Sequence, residues 1–352
     1  MSNALAIGVV GSGIGRQHLA AYASLPDQFE VTAVCDIDPS RASALAQEYN
    51  VPRVVTELAD LCRMDDVDVI DICTPSFLHH EQTLQVLGAG KHVVCEKPVA
   101  SSLKEVDEII AAEKRSGKRV MPIFQYRFRS GLQKLKRLVS DGVAGRAYLT
   151  TVETAWRRRA DYYATWHGKW KMEMGGAIVT LAIHAHDALY YILGPARSVF
   201  ARTATLVNPI ETEDCVSASL EMMDGSFCSL SVTTGSTHQI SRHRYCFSHL
   251  TAESNTRPAN TSDPWTFTGD SPEIDQQIQD TLAKLELLPE GFAGQFYRFH
   301  QALRDHTELP VTLADGRASL ELITAMYYSG RTRQVVSLPI GQDHPYYTGW
   351  QP

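Results

Sequence analysis

The residues Gly11-Ser12-Gly13-Ile14-Gly15 follow an apolar run, Leu5–Val10, and precede a helix-like segment. Glycine lets the main chain turn tightly against a pyrophosphate, and the free amides and positive dipole end of the next helix bind its charge. The usual G-x-G-x-x-G spacing would put the third glycine at 16, where this chain has Arg16, so the pattern is one residue shorter. A second apolar run ends at Cys35-Asp36, roughly twenty residues farther on, where a carboxylate accepts hydrogen bonds from an adenosine ribose. Together these features predict a dinucleotide site built from Gly11, Ser12, Gly13, Ile14, Gly15 and Asp36. A carboxylate at 36 repels a 2′-phosphate, which favours NAD over NADP, although Arg41 lies close enough to soften that preference. Asp36 also stands in Asp-Ile-Asp-Pro-Ser, which is turn and helix-cap chemistry, so both readings of it remain open.

Such a site needs a sheet behind it. From residue 5 to about 125, the runs LAIGVVG, FEVTAVCD, VDVIDICTP, KHVVCEKP and RVMPIF alternate with helix-like stretches such as SLKEVDEIIAAEKRSG. Short, wholly apolar strands alternating with helices imply a parallel sheet covered on both faces, the doubly wound Rossmann type of α/β domain. Ser102 and Glu105 have capping-box spacing, and Gly117 closes the helix they open. Beyond 125 the strands lengthen and alternate polar with apolar residues, as in RAYLTTVETAW and SFCSLSVTT. That alternation predicts a large open, mainly antiparallel sheet, with helices near 175–193, 273–287, 292–306 and 316–330 packed on one face. The turn-rich stretch 254–272 is expected to be a mobile loop. The expected division is therefore residues 1–125 for the dinucleotide and 126–352 for substrate binding and oligomerisation.

Composition agrees with this division and narrows the partners. A chain of 352 residues, 44% hydrophobic and 21% charged, is long enough for two globular domains. Its net charge of −7 argues against nucleic acid as a partner, and no apolar run is long enough to span a bilayer. Seven scattered cysteines without a C-x-x-C pair suggest reduced thiols, with neither a disulfide framework nor a metal site. Leu5–Val10 lacks the basic flank and cleavage site of a secretion signal, so a cytoplasmic location and a small-molecule partner are expected.

Three longer patterns go further. Thr74-Pro75 with His79, and Ala89-Gly-Lys-His-Val-Val-Cys-Glu-Lys-Pro98, resemble the T-P-x-x-x-H and A-G-K-H-V-x-x-E-K-P elements of the Gfo/Idh/MocA oxidoreductases. That family includes glucose–fructose oxidoreductase and inositol dehydrogenases. Gly175-Gly176, followed by His184 and Asp187, resembles its G-G-x-x-x-D-x-x-x-H-x-x-D helix, except that the family aspartate falls on Thr180. The resemblance implies a Rossmann domain followed by an open-sheet domain, with Thr74, Pro75, His79, Glu96 and Lys97 beside the cofactor. It also implies that Lys97 and His184 are catalytic, and that the protein forms a homodimer or homotetramer.

Those two residue types suit the reaction. Taking a hydride from a secondary alcohol requires a base for the hydroxyl proton and a donor for the developing oxyanion. Lys97 ends a strand at the edge where open α/β sheets bind ligands, and desolvation there would bring its ammonium toward neutrality. His184 is expected as the base or hydroxyl-orienting group. It shares a helix face with Asp187, whereas His186 points elsewhere. Substrate contacts are expected from Lys97, Tyr126, Arg127, Trp156, Trp166, Thr180 and His184. The cluster around Trp156, Trp166 and Trp170, rich in arginine and lysine, reads either as a sugar-binding wall or as a basic turn over core tryptophans. For Tyr126 and Arg127, a structural role is the alternative. Three activities follow: an NAD-dependent sugar or cyclitol dehydrogenase, an NAD-dependent glycoside hydrolase acting by transient oxidation and elimination, and a non-catalytic nucleotide sensor.

Overall fold

Six short strands build the first sheet: β1 (Leu5–Val10), β2 (Phe29–Cys35), β3 (Arg53–Val55), β4 (Val69–Ile72), β5 (His92–Cys95) and β6 (Val120–Pro122). In this computed structural model, which describes residues 4–164, 167–258, 260–286 and 288–352, they are ordered β3-β2-β1-β4-β5-β6 and all pair parallel. The order runs outward in both directions from β1, which places a ligand crevice at the carboxyl ends of β1 and β4. β4 is buried at every residue, as a strand covered on both faces must be. Helix starts follow local chemistry. The Asp38 carboxylate accepts from the amides of Ser40 and Arg41 and opens Pro39–Tyr49, and the Ser102 hydroxyl accepts from the Glu105 amide and opens Leu103–Ser116. Gly117, at φ 67°, ends the latter helix.

The chain divides into two compact units, Met1–Gln125 with Pro289–Arg317, and Tyr126–Leu288 with Ala318–Pro352. Residues 289–317, expected with the second unit, pack with the first. The reason is visible in the helix Gly291–Arg304, whose Phe296 stacks on Tyr22 at 4.2 Å while His300 meets Phe29 edge-on. Gln295 of the same helix donates to the Pro122 carbonyl at 2.7 Å and accepts from the Phe124 amide at 3.1 Å, satisfying main-chain groups at the end of the edge strand β6.

The second unit holds an eight-stranded sheet: β7 (Ala147–Arg157), β8 (Ala196–Ala204), β9 (Cys215–Met222), β10 (Phe227–Thr233), β11 (Gly235–Phe247), β12 (Leu250–Glu253), β13 (Thr266–Gly269) and β14 (Val336–Ser337). The order is β13-β12-β11-β7-β10-β9-β8-β14, antiparallel except for the central pair β7 and β10. β9 and β10 alternate buried with less buried residues, which leaves one face to the core and one to solvent. The stretch expected as a loop, 254–272, contributes β13, because Thr266–Gly269 extends the ladder from β12. The helix expected over 175–193 is instead two, Ala177–Thr180 and Ile183–Leu193. His186 and His243 are buried together in this unit, and burial drives their pKa values down to about 3 and about 4.

Candidate active site

The carboxyl ends of β1, β2, β4 and β5 bring most of the expected cofactor residues to one edge. Gly11, at φ 95°, makes the turn after β1, and a Cβ there would lie 2.6 Å from the Cys73 carbonyl oxygen and 3.1 Å from the Thr74 amide. Only glycine fits so close to the Thr74-Pro75 segment. A Cβ at Gly13 would meet nothing within 4 Å, so the turn is open to a ligand. Gly15 begins the helix Gly15–Ala23 with its α-carbon against Val9 and Cys73. It therefore does the close-packing work of the third glycine in the longer motif, while Arg16 pairs with Glu48 at the surface. No side chain caps this helix, which leaves its first amides for an anion.

Asp36 follows β2 and faces the turn, where its carboxylate accepts from the amides of Ser12 and Asp38 at 2.9 Å each and from Arg41 Nη2 at 2.8 Å. Burial alone would raise its pKa, but these donors outweigh burial and hold it below the usual carboxylate value. Helix capping belongs to Asp38, so Asp36 has a carboxylate directed at the glycine turn. The turn, the uncapped helix and this anion fit a dinucleotide. Gly11 to Gly15 would take its pyrophosphate, and Asp36 its ribose.

His79 explains why the two family elements occur together. Its ring nitrogens lie 2.8 Å from the Thr74 carbonyl oxygen and 2.7 Å from that of Pro98, fastening one element to the other. Burial, with the charge of Lys97 acting in the same direction, keeps this imidazole below its ordinary pKa despite the two carbonyls. The ring is fully enclosed, so its part in a cofactor site is to shape the Thr74-Pro75 wall. Glu96, also expected against the cofactor, turns inward to His18 at 3.1 Å and accepts from the Lys97 amide at 3.1 Å. The Lys97-Pro98 peptide bond is cis.

In the second unit, Tyr126 and His184 stack with ring centroids 4.4 Å apart and planes within 12°, and Arg129 lies over the other component of this pair, the Tyr126 ring, at 4.6 Å. The stack sets the plane of the His184 ring. Arg127, expected at the substrate, is instead 4% exposed and gripped by Asp187 through two bonds of 2.8 and 2.6 Å. Residues 184 and 187 do share a helix face, and it is turned toward 126–127. Asp187 thereby holds Arg127 through both of its carboxylate oxygens.

Thr180 donates to the Gly176 carbonyl at 2.9 Å, using its hydroxyl within its own helix. It lines a small cavity with Arg158, Tyr162, Tyr163 and Glu213. Trp156 donates to Ser241 at 2.8 Å, and the Arg158 guanidinium lies 5.0 Å from both the Trp156 and Tyr162 rings. Trp166 lies outside the described residues. Sequence reasoning missed Glu213. Its carboxylate accepts from the Gly176 and Ile178 amides at 3.0 and 2.9 Å and from the Tyr327 hydroxyl at 2.7 Å, and burial pushes it up to about 7 in spite of them. It caps the short helix across a span of sequence that no local pattern reveals.

A doubly wound sheet with this glycine turn, and a carboxylate directed at it, is the arrangement of a dinucleotide-binding domain. Family models agree: residues 5–124 match the oxidoreductase family, NAD-binding Rossmann fold, and residues 132–247 match the GFO/IDH/MocA C-terminal domain. The chain belongs to the Gfo/Idh/MocA oxidoreductase family. It is similar to the WlbA dehydrogenase from Bordetella pertussis, whose crystal structure is a complex with NADH and UDP-GlcNAcA, at 31% identity and a TM-score of 0.85, over 96% of this chain and 100% of that one. D-glucoside 3-dehydrogenase of Escherichia coli K12 is 32% identical over 55% of either chain. Inositol 2-dehydrogenase of Salmonella typhimurium LT2 is 30% identical over 60% of this chain and 62% of its own length.

Proposed function

We propose that the protein is a dehydrogenase that exchanges a hydride between NAD(H) and a secondary hydroxyl of a sugar, sugar derivative or cyclitol, with Lys97 and His184 moving the proton. The observation that carries this reading is the meeting of three features at one sheet edge: the open glycine turn, Asp36, and Lys97 at the end of β5. NAD, when bound, supplies the hydride acceptor. The protein must then hold a hydroxyl and remove its proton. A lysine or a neutral histidine can do so near neutral pH. At the position of the family aspartate this chain has Thr180, whose hydroxyl donates to the Gly176 carbonyl. The Tyr126 stack keeps the His184 ring oriented for a hydroxyl.

Trp156, with Arg158 on its face, offers an apolar plate and a cation of the kind that receives a sugar ring and its polar substituents. The sugar nucleotide in the related WlbA complex supports a substrate of that class. We also propose a homodimer or homotetramer that covers the solvent face of the larger sheet, where Tyr148, Leu149 and Phe227 are each about half exposed. A cytoplasmic location fits seven free cysteines. The test is a panel of sugars, sugar acids, cyclitols and glycosides, with NADH absorbance and released aglycone followed together. NADH formed in step with product supports the reading. Aglycone without NADH would point to the hydrolase, and NAD binding without turnover on any compound to the sensor.

A further inference from the structure

The first unit contains a charged cluster that the proposed reaction does not use. His18, on the helix that opens at the glycine turn, is wholly buried. Its Nδ1 lies 2.8 Å from Asp71 Oδ2 and its Nε2 3.1 Å from Glu96 Oε1, so the ring spans the carboxyl ends of β4 and β5. Tyr22 donates to the same Asp71 oxygen at 2.9 Å, Cys73 Sγ lies 3.3 Å from Nδ1, and Phe292 and Phe296 close the far side with ring centroids at 4.5 and 5.3 Å. The other oxygen of Glu96 accepts the main-chain N–H of Lys97.

We propose that His18 is a positioning residue for Lys97, tying the glycine-turn helix to Glu96 and through it fixing the main chain and the electrostatic surroundings of residue 97. This inference rests on the reading of Lys97 as the proton-transfer residue. A neutral imidazole carries one N–H, whereas both nitrogens here lie within hydrogen-bond distance of carboxyl oxygens, which an imidazolium satisfies at both ends. Burial acts against that charge, but Asp71 and Cys73 outweigh it and raise the pKa of His18 well above its ordinary value. Burial and Asp71 also raise the pKa of Cys73, so its thiol stays neutral. The groups facing His18 are Asp71 and Cys73 from the end of β4, Glu96 from the end of β5 and Tyr22 from its own helix. The returning helix Gly291–Arg304 contributes the rings of Phe292 and Phe296. Beside Lys97 stand Glu96 and His79.

Two carboxylates and one imidazolium leave the cluster one negative charge. Removing the imidazolium makes it more negative and favours the ammonium of Lys97, whereas neutralising Glu96 does the reverse. Opposite shifts are a signature that loss of packing alone does not produce. The test uses the intact protein after reductive methylation with ¹³C-formaldehyde, titrating the dimethyl-lysine signal that disappears in Lys97→Arg. His18→Asn is expected to raise the pKa of residue 97 by about one unit, and Glu96→Gln to lower it by a similar amount. Unchanged titrations in both variants, or shifts of the same sign, overturn the proposal. Should His18→Asn fail to fold, the ring nitrogens of His18 in the wild-type protein decide the matter. Both remaining protonated to pH 8 is the expected result, and an ordinary titration near 6.5 refutes it. Turnover by Lys97→Ala, measured separately, bears on the underlying reading and leaves these titrations unaffected.

Discussion

Replacing Arg127 with methionine separates a substrate contact from a structural ion pair. The two side chains of the Arg127–Asp187 pair are 5% and 0% exposed and meet through two short bonds. Methionine keeps most of the volume but leaves the Asp187 carboxylate buried without this partner. Breaking a buried pair from one side costs about 3–5 kcal/mol. At about 2–4 °C per kcal/mol for a unit of this size, the melting temperature should fall by roughly 10 °C. The assay is thermal and urea unfolding of the ligand-free protein, with KM for the substrate measured alongside. Adding Asp187→Leu should recover much of the loss, because no buried charge then remains. If Arg127→Met melted within about 1 °C of wild type while KM rose, Arg127 would face the substrate and the structural assignment would be wrong.

Other consequences are as direct. His186 is buried and its pKa is about 3, below the 6.5 of an unfolded chain, so the unfolded state binds the extra proton and stability falls as pH drops below 6.5. His186→Leu should therefore gain about 2 kcal/mol relative to wild type between pH 7 and pH 5 in urea titrations, and an unchanged difference would refute a neutral buried ring. Gly11→Ala places a Cβ 2.6 Å from the Cys73 oxygen at φ 95°, and should weaken NAD binding at least about tenfold by calorimetry. Asp36→Ala should weaken NAD and relax discrimination against NADP, since Arg41 then loses its partner; equal NAD affinity would remove Asp36 from the cofactor site.

The sequence carried much of this because local chemistry sets much of it. The Ser102 cap, the Gly117 stop and the β-branched runs need no distant partner to be read. His79 and Thr74 were legible as a spaced pair, although the Pro98 carbonyl that completes the fastening was not. What escaped depends on long-range contact. Gln295 reaches the amide of a residue 171 positions away, so the sequence alone assigned its helix to the wrong unit. The inward turn of Arg127 is fixed by Asp187 on another helix, and the bend after Thr180 accompanies the distant capping of the preceding short helix by Glu213. A period-3.6 pattern reports which residues share a face, but not which neighbour that face meets.

The central claim is tested most directly by comparing wild type and Lys97→Ala on the carbohydrate and cyclitol panel, with NAD affinity measured on both proteins. The account predicts NADH formed in equal amount with oxidised product from at least one polyol, and turnover reduced about 10²–10⁴-fold in Lys97→Ala with NAD affinity nearly intact. Full activity in Lys97→Ala, or product released from a glycoside with no NADH formed, would contradict it.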